Sequence, residues 1–343
     1  MRTVLVTGGT GFLATRCIAQ ALAAGHRVRT TVRTADGPER VRAALAAAGV
    51  SDDAVASVTY AGANLLADEG WERAVADCDA VLHTASPFPT EVPRDPADVI
   101  GPAREGTLRV LRAARDAGVR RAVLTSSFAA VGYGHPPTER PFTEDDWTDT
   151  EGPGVHPYIA SKTLAERAAW DFVEKEGGGL ELAVVNPVGI FGPVLGPDFS
   201  ASIGMVRRLL DGSTRAVPNL SFAVVDVRDA ADLHLRAMTD DGAAGRRFIA
   251  AAGDAIAYRD IAATLRARLD GPAAAKVPTR QLSDRAVRFG ARFSPALRAI
   301  EANVGVVRHV SAERARTVLG WEPRPVADTL ADTGRSLAEL GLV

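Results

Sequence analysis

Apolar positions along the chain fall into short continuous runs and into longer stretches at helical spacing, and the two alternate. Val4 to Val6 is a short apolar run of the kind a buried parallel strand shows. From Phe12 to about Ala24 the apolar residues recur with helical period, and Gly25 ends that helix. The same alternation predicts strands over about His26 to Val32, Val55 to Ala61, Val81 to Pro87, Arg121 to Ser127 and Leu182 to Val185. Helices are predicted over Arg40 to Ala48, Asp98 to Ala117 and Tyr158 to about Lys175, with Gly177 to Gly179 breaking the last. Between Gly132 and Pro157 the chain is rich in Gly, Pro, Asp and Thr and is expected to loop over the sheet edge.

Strand-helix alternation of this kind specifies an α/β fold, a Rossmann-type doubly wound parallel sheet. Beyond Pro193 the alternation weakens. Ser200 to Leu210 reads as a helix. Phe222 to Val227 and Phe248 to Ala252 read as strands returning to the sheet, with a helix over Asp229 to Met238 between them. The remainder, to Val343, is mainly helical and is expected to close over a substrate. The expected division is a dinucleotide-binding domain of 1–186 plus about 221–252, with a smaller, mainly helical C-terminal substrate-binding region of about 187–220 plus 253–343.

Composition narrows the class. A chain of 343 residues with 46% hydrophobic and 24% charged residues has the make-up of an ordinary globular enzyme. A formal net charge of -2 gives no reason to expect nucleic acid or an acidic membrane as partner. The start of the chain lacks the basic-then-apolar layout of a signal peptide, and no apolar run is long enough to span a bilayer. Cys17 and Cys78 suggest neither a disulfide framework nor a metal site, which fits a reducing cytoplasm. Lysine occurs only at Lys162, Lys175 and Lys276, so a lysine at a meaningful position is informative.

The candidate chemistry begins at the first turn. Gly8, Gly9 and Gly11 stand between the first strand and the first helix, which puts backbone N–H groups and the positive end of a helix dipole where a diphosphate can sit. The second strand ends Thr30-Thr31-Val32-Arg33, without the carboxylate that usually holds the ribose hydroxyls of NAD. Arg33 offers a planar fork of donors to a 2′-phosphate, and Arg40 a second positive charge, so NADP(H) is the expected cofactor. The plainer alternative is two solvated arginines. Asn64-Leu65 follows the third strand where the chain passes an adenine. His83 reads as a packed strand residue.

Tyr158 and Lys162, four apart on a predicted helix, share one face. An ammonium about 4 Å from the phenol favours the phenolate by roughly 4 kcal/mol at an effective dielectric near 20, enough to bring the tyrosine toward a working range. Alone, such a pair is an ordinary surface spacing. Its place after a Ser126-Ser127 strand end and before the sixth strand favours catalysis.

Taken together, Thr7-Gly8-Gly9-Thr10-Gly11-Phe12-Leu13-Ala14, Thr31-Val32-Arg33, His83-Thr84-Ala85-Ser86-Pro87-Phe88, Leu124-Thr125-Ser126-Ser127, Tyr158-x-x-Ser161-Lys162-x-x-Ala165-Glu166, Asn186-Pro187 with Gly192-Pro193, and Val227-Arg228-Asp229-Ala230-Ala231 resemble the extended short-chain dehydrogenase/reductase family. The resemblance covers essentially the whole chain. It points to the branch of dihydroflavonol reductase, cinnamoyl-CoA reductase and the yeast-type aldehyde and methylglyoxal reductases.

The resemblance implies a catalytic Ser127, Tyr158 and Lys162, with Ser127 favoured over Ser126. It implies NADP(H) contacts at Gly8, Thr10, Gly11, Phe12, Leu13, Arg33, Arg40, Asn64, Leu65, Thr84, Ala85, Ser86, Thr125, Tyr158, Lys162, Pro187, Val188 and Gly189, and no metal. The activity implied is reduction of an aldehyde or ketone to the alcohol, with Tyr158 as proton donor. The partner is a small-molecule carbonyl compound, and the protein a monomer or homodimer. A sugar-nucleotide epimerase or dehydratase and a non-catalytic NADP sensor remain as alternatives. Two departures stand out: Asn64 in place of an acid, and Gly132 where flavonoid reductases carry asparagine.

Overall fold

Side chains on successive strand residues point to opposite faces, so an apolar run buried on both sides feeds two separate cores. The computed structural model describes residues 1–86, 97–197 and 199–343. Its strands are β1 (Thr3–Val6), β2 (Arg27–Val32), β3 (Thr59–Gly62), β4 (Ala80–His83), β5 (Arg121–Thr125), β6 (Glu181–Pro187), β7 (Gly189–Phe191), β8 (Ser221–Phe222), β9 (Val224–Asp226), β10 (Arg246–Ala250) and β11 (Ile256–Ala257). Seven of them form one parallel sheet in the order β10-β6-β5-β4-β1-β2-β3.

The helices are α1 (Phe12–Ala23), α2 (Gly37–Ala47), α3 (Asp52–Ala56), α4 (Trp71–Val75), α5 (Ala97–Asp116), α6 (Pro157–Glu176), α7 (Ala201–Leu210), α8 (Val227–Thr239), α9 (Tyr258–Arg268), α10 (Pro272–Lys276), α11 (Asp284–Gly290), α12 (Pro295–Glu301), α13 (Glu313–Leu319) and α14 (Val326–Glu339). Val4, Val6, Leu82, Val123 and Val185 pack on one face with Ile18 and Ala21 of α1 and Ala231 and Leu233 of α8. Leu5, Val81, Leu124, Leu182 and Val184 pack on the other with Leu108 and Leu111 of α5 and Ala169 and Phe172 of α6. The strand order reverses between β1 and β4, and in such sheets ligands bind at the carboxyl ends beside that reversal.

Two expected strands differ. Val55, expected in the third strand, lies in α3, because Asp52 and Asp53 put acidic side chains in a helical first turn; the strand itself begins at Thr59. Phe222 to Val227 does not return to the sheet. It divides into β8, antiparallel to β11, and β9, parallel to β7. The open edge of β6 is already taken by β10, with Phe248 opposite Val185. The Phe248 strand does join the sheet, as expected.

A third core gathers Ile203, Val206 and Leu209 of α7, Ile261 and Leu265 of α9 and Leu330 and Leu337 of α14. It is tied to the chain after β6 by Thr333 and Ser336, whose hydroxyls accept from the backbone N–H of Gly192 at 2.7 Å and of Val194 at 3.0 Å.

Candidate active site

The turn after β1 is shaped by what it excludes. Gly8 has φ +72°, and a Cβ there would stand 3.0 Å from the Ala85 Cβ; a Cβ on Gly9 would stand 2.3 Å from Thr30 Oγ1. Gly8 N–H donates to Thr31 Oγ1 at 2.8 Å and Gly9 N–H to the Thr31 carbonyl at 3.0 Å, which clamps the turn to β2. Helix α1 then begins at Gly11 with no side-chain cap and no acidic residue in its first turn. Its positive end is therefore uncompensated by its own cap and first turn, and these residues fit a diphosphate. Thr10 and Phe12 are half-buried and Gly11 is exposed at this helix start, while Leu13 points into the core.

Arg33 is exposed directly after β2 and has no hydrogen bond or ion pair among the described residues. Arg40, exposed on the first turns of α2, has Nη1 3.9 Å from Asp36 Oδ2. Asn64 is exposed, and its Oδ1 accepts from the Leu66 N–H at 3.1 Å. Its Nδ2 has no hydrogen bond among the described residues and offers donors an aspartate would lack. Leu65 is a core residue, 8% exposed, and its carbonyl accepts from Arg109 at 2.9 Å.

The end of β4 is bound back to β1. Thr84 Oγ1 donates to the Thr7 carbonyl at 2.5 Å, Ala85 N–H donates to Thr7 Oγ1 at 3.0 Å, and His83 Nδ1 lies 2.9 Å from the same hydroxyl. Burial, with the Lys162 charge adding to it, pulls His83 down to about 3, so the ring is a neutral packed residue as expected. Pro87 and Phe88 lie outside the described residues.

At the end of β5, Thr125 is turned toward α8. His234 Nδ1 donates to the Ala230 carbonyl at 2.7 Å, so its Nε2 accepts from Thr125 Oγ1, also at 2.7 Å. Burial takes His234 down to about 4 and keeps it neutral. Ser126 and Ser127 separate cleanly. Ser126 is buried and donates to Glu166 Oε2 at 2.5 Å. Ser127 is half-buried and its hydroxyl is hydrogen-bonded to the phenol of Tyr158.

Helix α6 starts at Pro157, where a missing N–H costs nothing. Tyr158 and Lys162 stand one turn apart on it. Lys162 Nζ donates to Ser86 Oγ at 3.0 Å, which brings the β4 and α6 residues together. The expected lowering of the Tyr158 phenol by Lys162 is not what this geometry gives. Burial pushes Tyr158 up from its ordinary value, against a lowering by the Ser127 hydrogen bond, and nearby Tyr133 adds to the rise. Desolvation costs the phenolate more than the ammonium, held on Ser86, returns. Lys162 itself is pulled down to about 8 by burial, with Glu166 opposing.

Pro187 closes β6 and is buried, while Val188 and Gly189 are half-buried. Val188 N–H donates to the Ala250 carbonyl and Gly189 N–H to the Ala223 carbonyl, each at 3.2 Å. A Cβ on Gly189 would meet the Phe191 ring at 2.9 Å, and one on Gly132 would meet the Phe128 ring at 2.5 Å. Phe128 thus accounts for glycine where flavonoid reductases carry asparagine.

Several supporting residues carried no role in the sequence reading. Glu166 accepts from Arg247, Asn186 and Ser126, and Asn186 also donates to the Ser127 carbonyl at 3.2 Å. The available signals were a carboxylate four residues past Lys162 on the same helix face, and an arginine opening the apolar run at Phe248.

Comparison with known proteins identifies the family. Residues 4–251 match the NAD dependent epimerase/dehydratase family. The chain belongs to that family. It is the grouping its motifs pointed to, the extended short-chain dehydrogenases/reductases. Within it, the chain is 36% identical over 251 residues to a cinnamoyl-CoA reductase of Medicago truncatula, covering 72% of this chain and 75% of that protein. It is 32% identical over 272 residues to an anthocyanidin reductase of Vitis vinifera, covering 74% and 78%. The crystal structure of a yeast methylglyoxal/isovaleraldehyde reductase complexed with NADPH superposes with a TM-score of 0.79 at 25% identity, covering 99% of this chain and 100% of that one. No helix among the described residues is long and apolar enough to cross a membrane.

Proposed function

We propose that this chain is an NADP-dependent oxidoreductase that reduces an aldehyde or ketone to the alcohol. The observation that carries the reading is the Ser127–Tyr158 hydroxyl pair, one helical turn from Lys162, at the carboxyl edge of the sheet beside the strand-order reversal. Relatives named as reductases, one of them solved with NADPH, support the cofactor and the reaction class.

The cofactor supplies a hydride, two electrons and one hydrogen nucleus, and leaves oxidised. This chain's residues do the rest. The α1 N-terminus and Gly8 to Gly11 receive the diphosphate. Arg33 and Arg40 receive the 2′-phosphate, and Asn64 the adenine edge. Thr84 to Ser86 and Pro187 to Gly189 border the nicotinamide, and Lys162 holds its ribose. Ser127 donates to the substrate oxygen and Tyr158 delivers the proton that completes the alcohol. A phenol pushed upward by burial is protonated at neutral pH, which is the form a proton donor needs. In this assignment the parallel sheet and its helices carry the cofactor, and the region around α7, α9 and α14 carries the substrate.

The experiment is NADPH and NADH oxidation, followed by absorbance, against aldehydes, ketoesters and aryl ketones. The expected outcome is turnover with NADPH well above NADH. Proven NADPH binding without turnover of any carbonyl compound would overturn the assignment in favour of a sensor.

A further inference from the structure

Arg308 differs from the sheltered arginines that are held by carboxylates, and from Arg16, which donates to the Pro193 carbonyl at 2.9 Å. Arg121, Arg228, Arg247 and Arg324 each have a carboxylate within 3.1 Å. Arg308 is half-buried and has no hydrogen bond or ion pair among the described residues. Its Cζ sits 4.2 Å from the centroid of the Tyr133 ring. Burial without a carboxylate pulls this guanidinium below its usual range.

The position is built, not incidental. Directly after Arg308 the backbone is held: Phe142 N–H donates to the His309 carbonyl at 2.8 Å, and Ser311 N–H returns to the Phe142 carbonyl at 3.0 Å. Asp254 accepts from Val310 N–H at 3.1 Å and sits 2.5 Å from His309 Nδ1. Tyr133 in turn packs edge-on against Phe128, centroids 6.2 Å apart, and Phe128 directly follows Ser127. Tyr133 also adds to the upward push on the Tyr158 phenol, after burial.

A guanidinium stacked by its face on an aromatic ring leaves its edge, the two-pronged donor fork, to a ligand. We propose that Arg308, stacked on Tyr133, is an anion subsite on the Phe128–Ser127 side of the site, and that the natural substrate is an oxo acid. This rests on the carbonyl-reductase reading above. The carboxylate is favoured over a phosphate because Arg308 rests on Tyr133, which packs on the Phe128 ring next to Ser127. The phosphates of a carrier such as coenzyme A lie many bonds from the reacting carbonyl. The reaction is the same one: hydride to the carbonyl carbon, the Tyr158 proton to its oxygen, and the carboxylate unchanged.

The test compares kcat/KM with NADPH for benzoylformate, its methyl ester and cinnamoyl-CoA, using the full chain and the Arg308→Met and Arg308→Lys variants. Rates are normalised to the NADPH-binding fraction measured by fluorescence titration, so a poorly folded variant does not count as a loss. The wild type is expected to prefer the acid over its ester. Arg308→Met is expected to lower the acid-to-ester ratio by about tenfold or more, mainly through KM, and Arg308→Lys to restore part of it. An acid-to-ester ratio that Arg308→Met does not move overturns the subsite while the carbonyl reading stands. An Arg308-dependent preference for cinnamoyl-CoA over both small compounds overturns the carboxylate assignment. Absence of turnover for every carbonyl compound, with NADPH bound, overturns the carbonyl reading and this inference with it.

Discussion

Arg247 Nε donates to Glu166 Oε1 at 2.6 Å, with 7% of one side chain and none of the other exposed. The pair joins the last strand of the sheet to the helix that carries Tyr158 and Lys162. Its free valences are filled: Arg247 also donates to the Glu144 and Asp146 carbonyls, at 2.9 and 2.7 Å, and lies 3.8 Å over the Trp147 ring. Glu166 completes its bonds with Ser126 and Asn186. The network therefore fixes α6 against β5, β6 and the 132–156 loop at once.

Removing one member leaves the other charge buried and unpaired, which costs about 3–5 kcal/mol. Arg247→Met is therefore expected to lower stability by about 3 kcal/mol or more in urea unfolding. A loss below about 1 kcal/mol would mean that water reaches Glu166 in solution.

Tyr158→Phe keeps the ring and removes only the hydroxyl that Ser127 touches. Loss of a proton donor typically costs about 10²–10⁴ in rate. We expect kcat for carbonyl reduction to fall within that range while NADPH affinity, measured by fluorescence titration, changes little. Turnover within a few-fold of wild type would remove Tyr158 from the chemistry.

The pH profile separates the two groups on α6. Tyr158 is pushed above its ordinary value of about 10 and stays protonated through neutral and mildly alkaline pH. Lys162 is pulled down to about 8, so its ammonium, which bonds Ser86, is present below that pH and lost above it. Reduction is expected to decline above pH 8 through Lys162, before the phenol titrates. In Lys162→Arg the guanidinium stays charged, and the break near 8 should vanish even if the rate is lower. A break that persists in that variant belongs to another group.

Residues whose role follows from local chain geometry were legible in the sequence. Gly8 to Gly11 announced a turn into a helix, and Tyr158 and Lys162 announced a shared face, because period and backbone freedom are written in neighbouring residues. The parallel sheet followed from the strand-helix alternation. What was not legible depends on distant partners. Phe222 to Val227 has the composition of a sheet strand, yet the edge it would need belongs to β10, about twenty residues later. The rise at Tyr158 reflects burial and Tyr133, neither visible in a four-residue spacing. Arg308 is one of many arginines until the fold lays it on Tyr133.

Arg33 tests the cofactor assignment. Charge-assisted hydrogen bonds contribute about 1.5–3 kcal/mol, or roughly 10–100-fold in affinity. Arg33→Ala is expected to raise the NADPH KM by that factor and to leave the NADH KM nearly unchanged, since NADH has no 2′-phosphate. Equal losses for both cofactors would place Arg33 in the fold rather than on the phosphate.

Gly9 tests the cradle itself. An added Cβ would fall 2.3 Å from Thr30 Oγ1, and Thr30 cannot simply rotate aside because that hydroxyl donates to the Val6 carbonyl at 2.7 Å. Overpacking of this kind costs about 1–3 kcal/mol, and here the strain falls on the β1–β2 contact that shapes the diphosphate turn. Gly9→Ala is expected to lower stability by that amount and to weaken NADPH binding. Thr30→Ala alone should also destabilise, through the lost hydrogen bond. Combined, the two changes remove the two closest contacts and leave the Thr30 Cβ position at 3.1 Å, so the double variant should be more stable than the sum of the single losses, with part of the NADPH affinity recovered. Simple additivity would show that the turn relaxes some other way, and that the close approach of Gly9 to β2 is not what sets its shape.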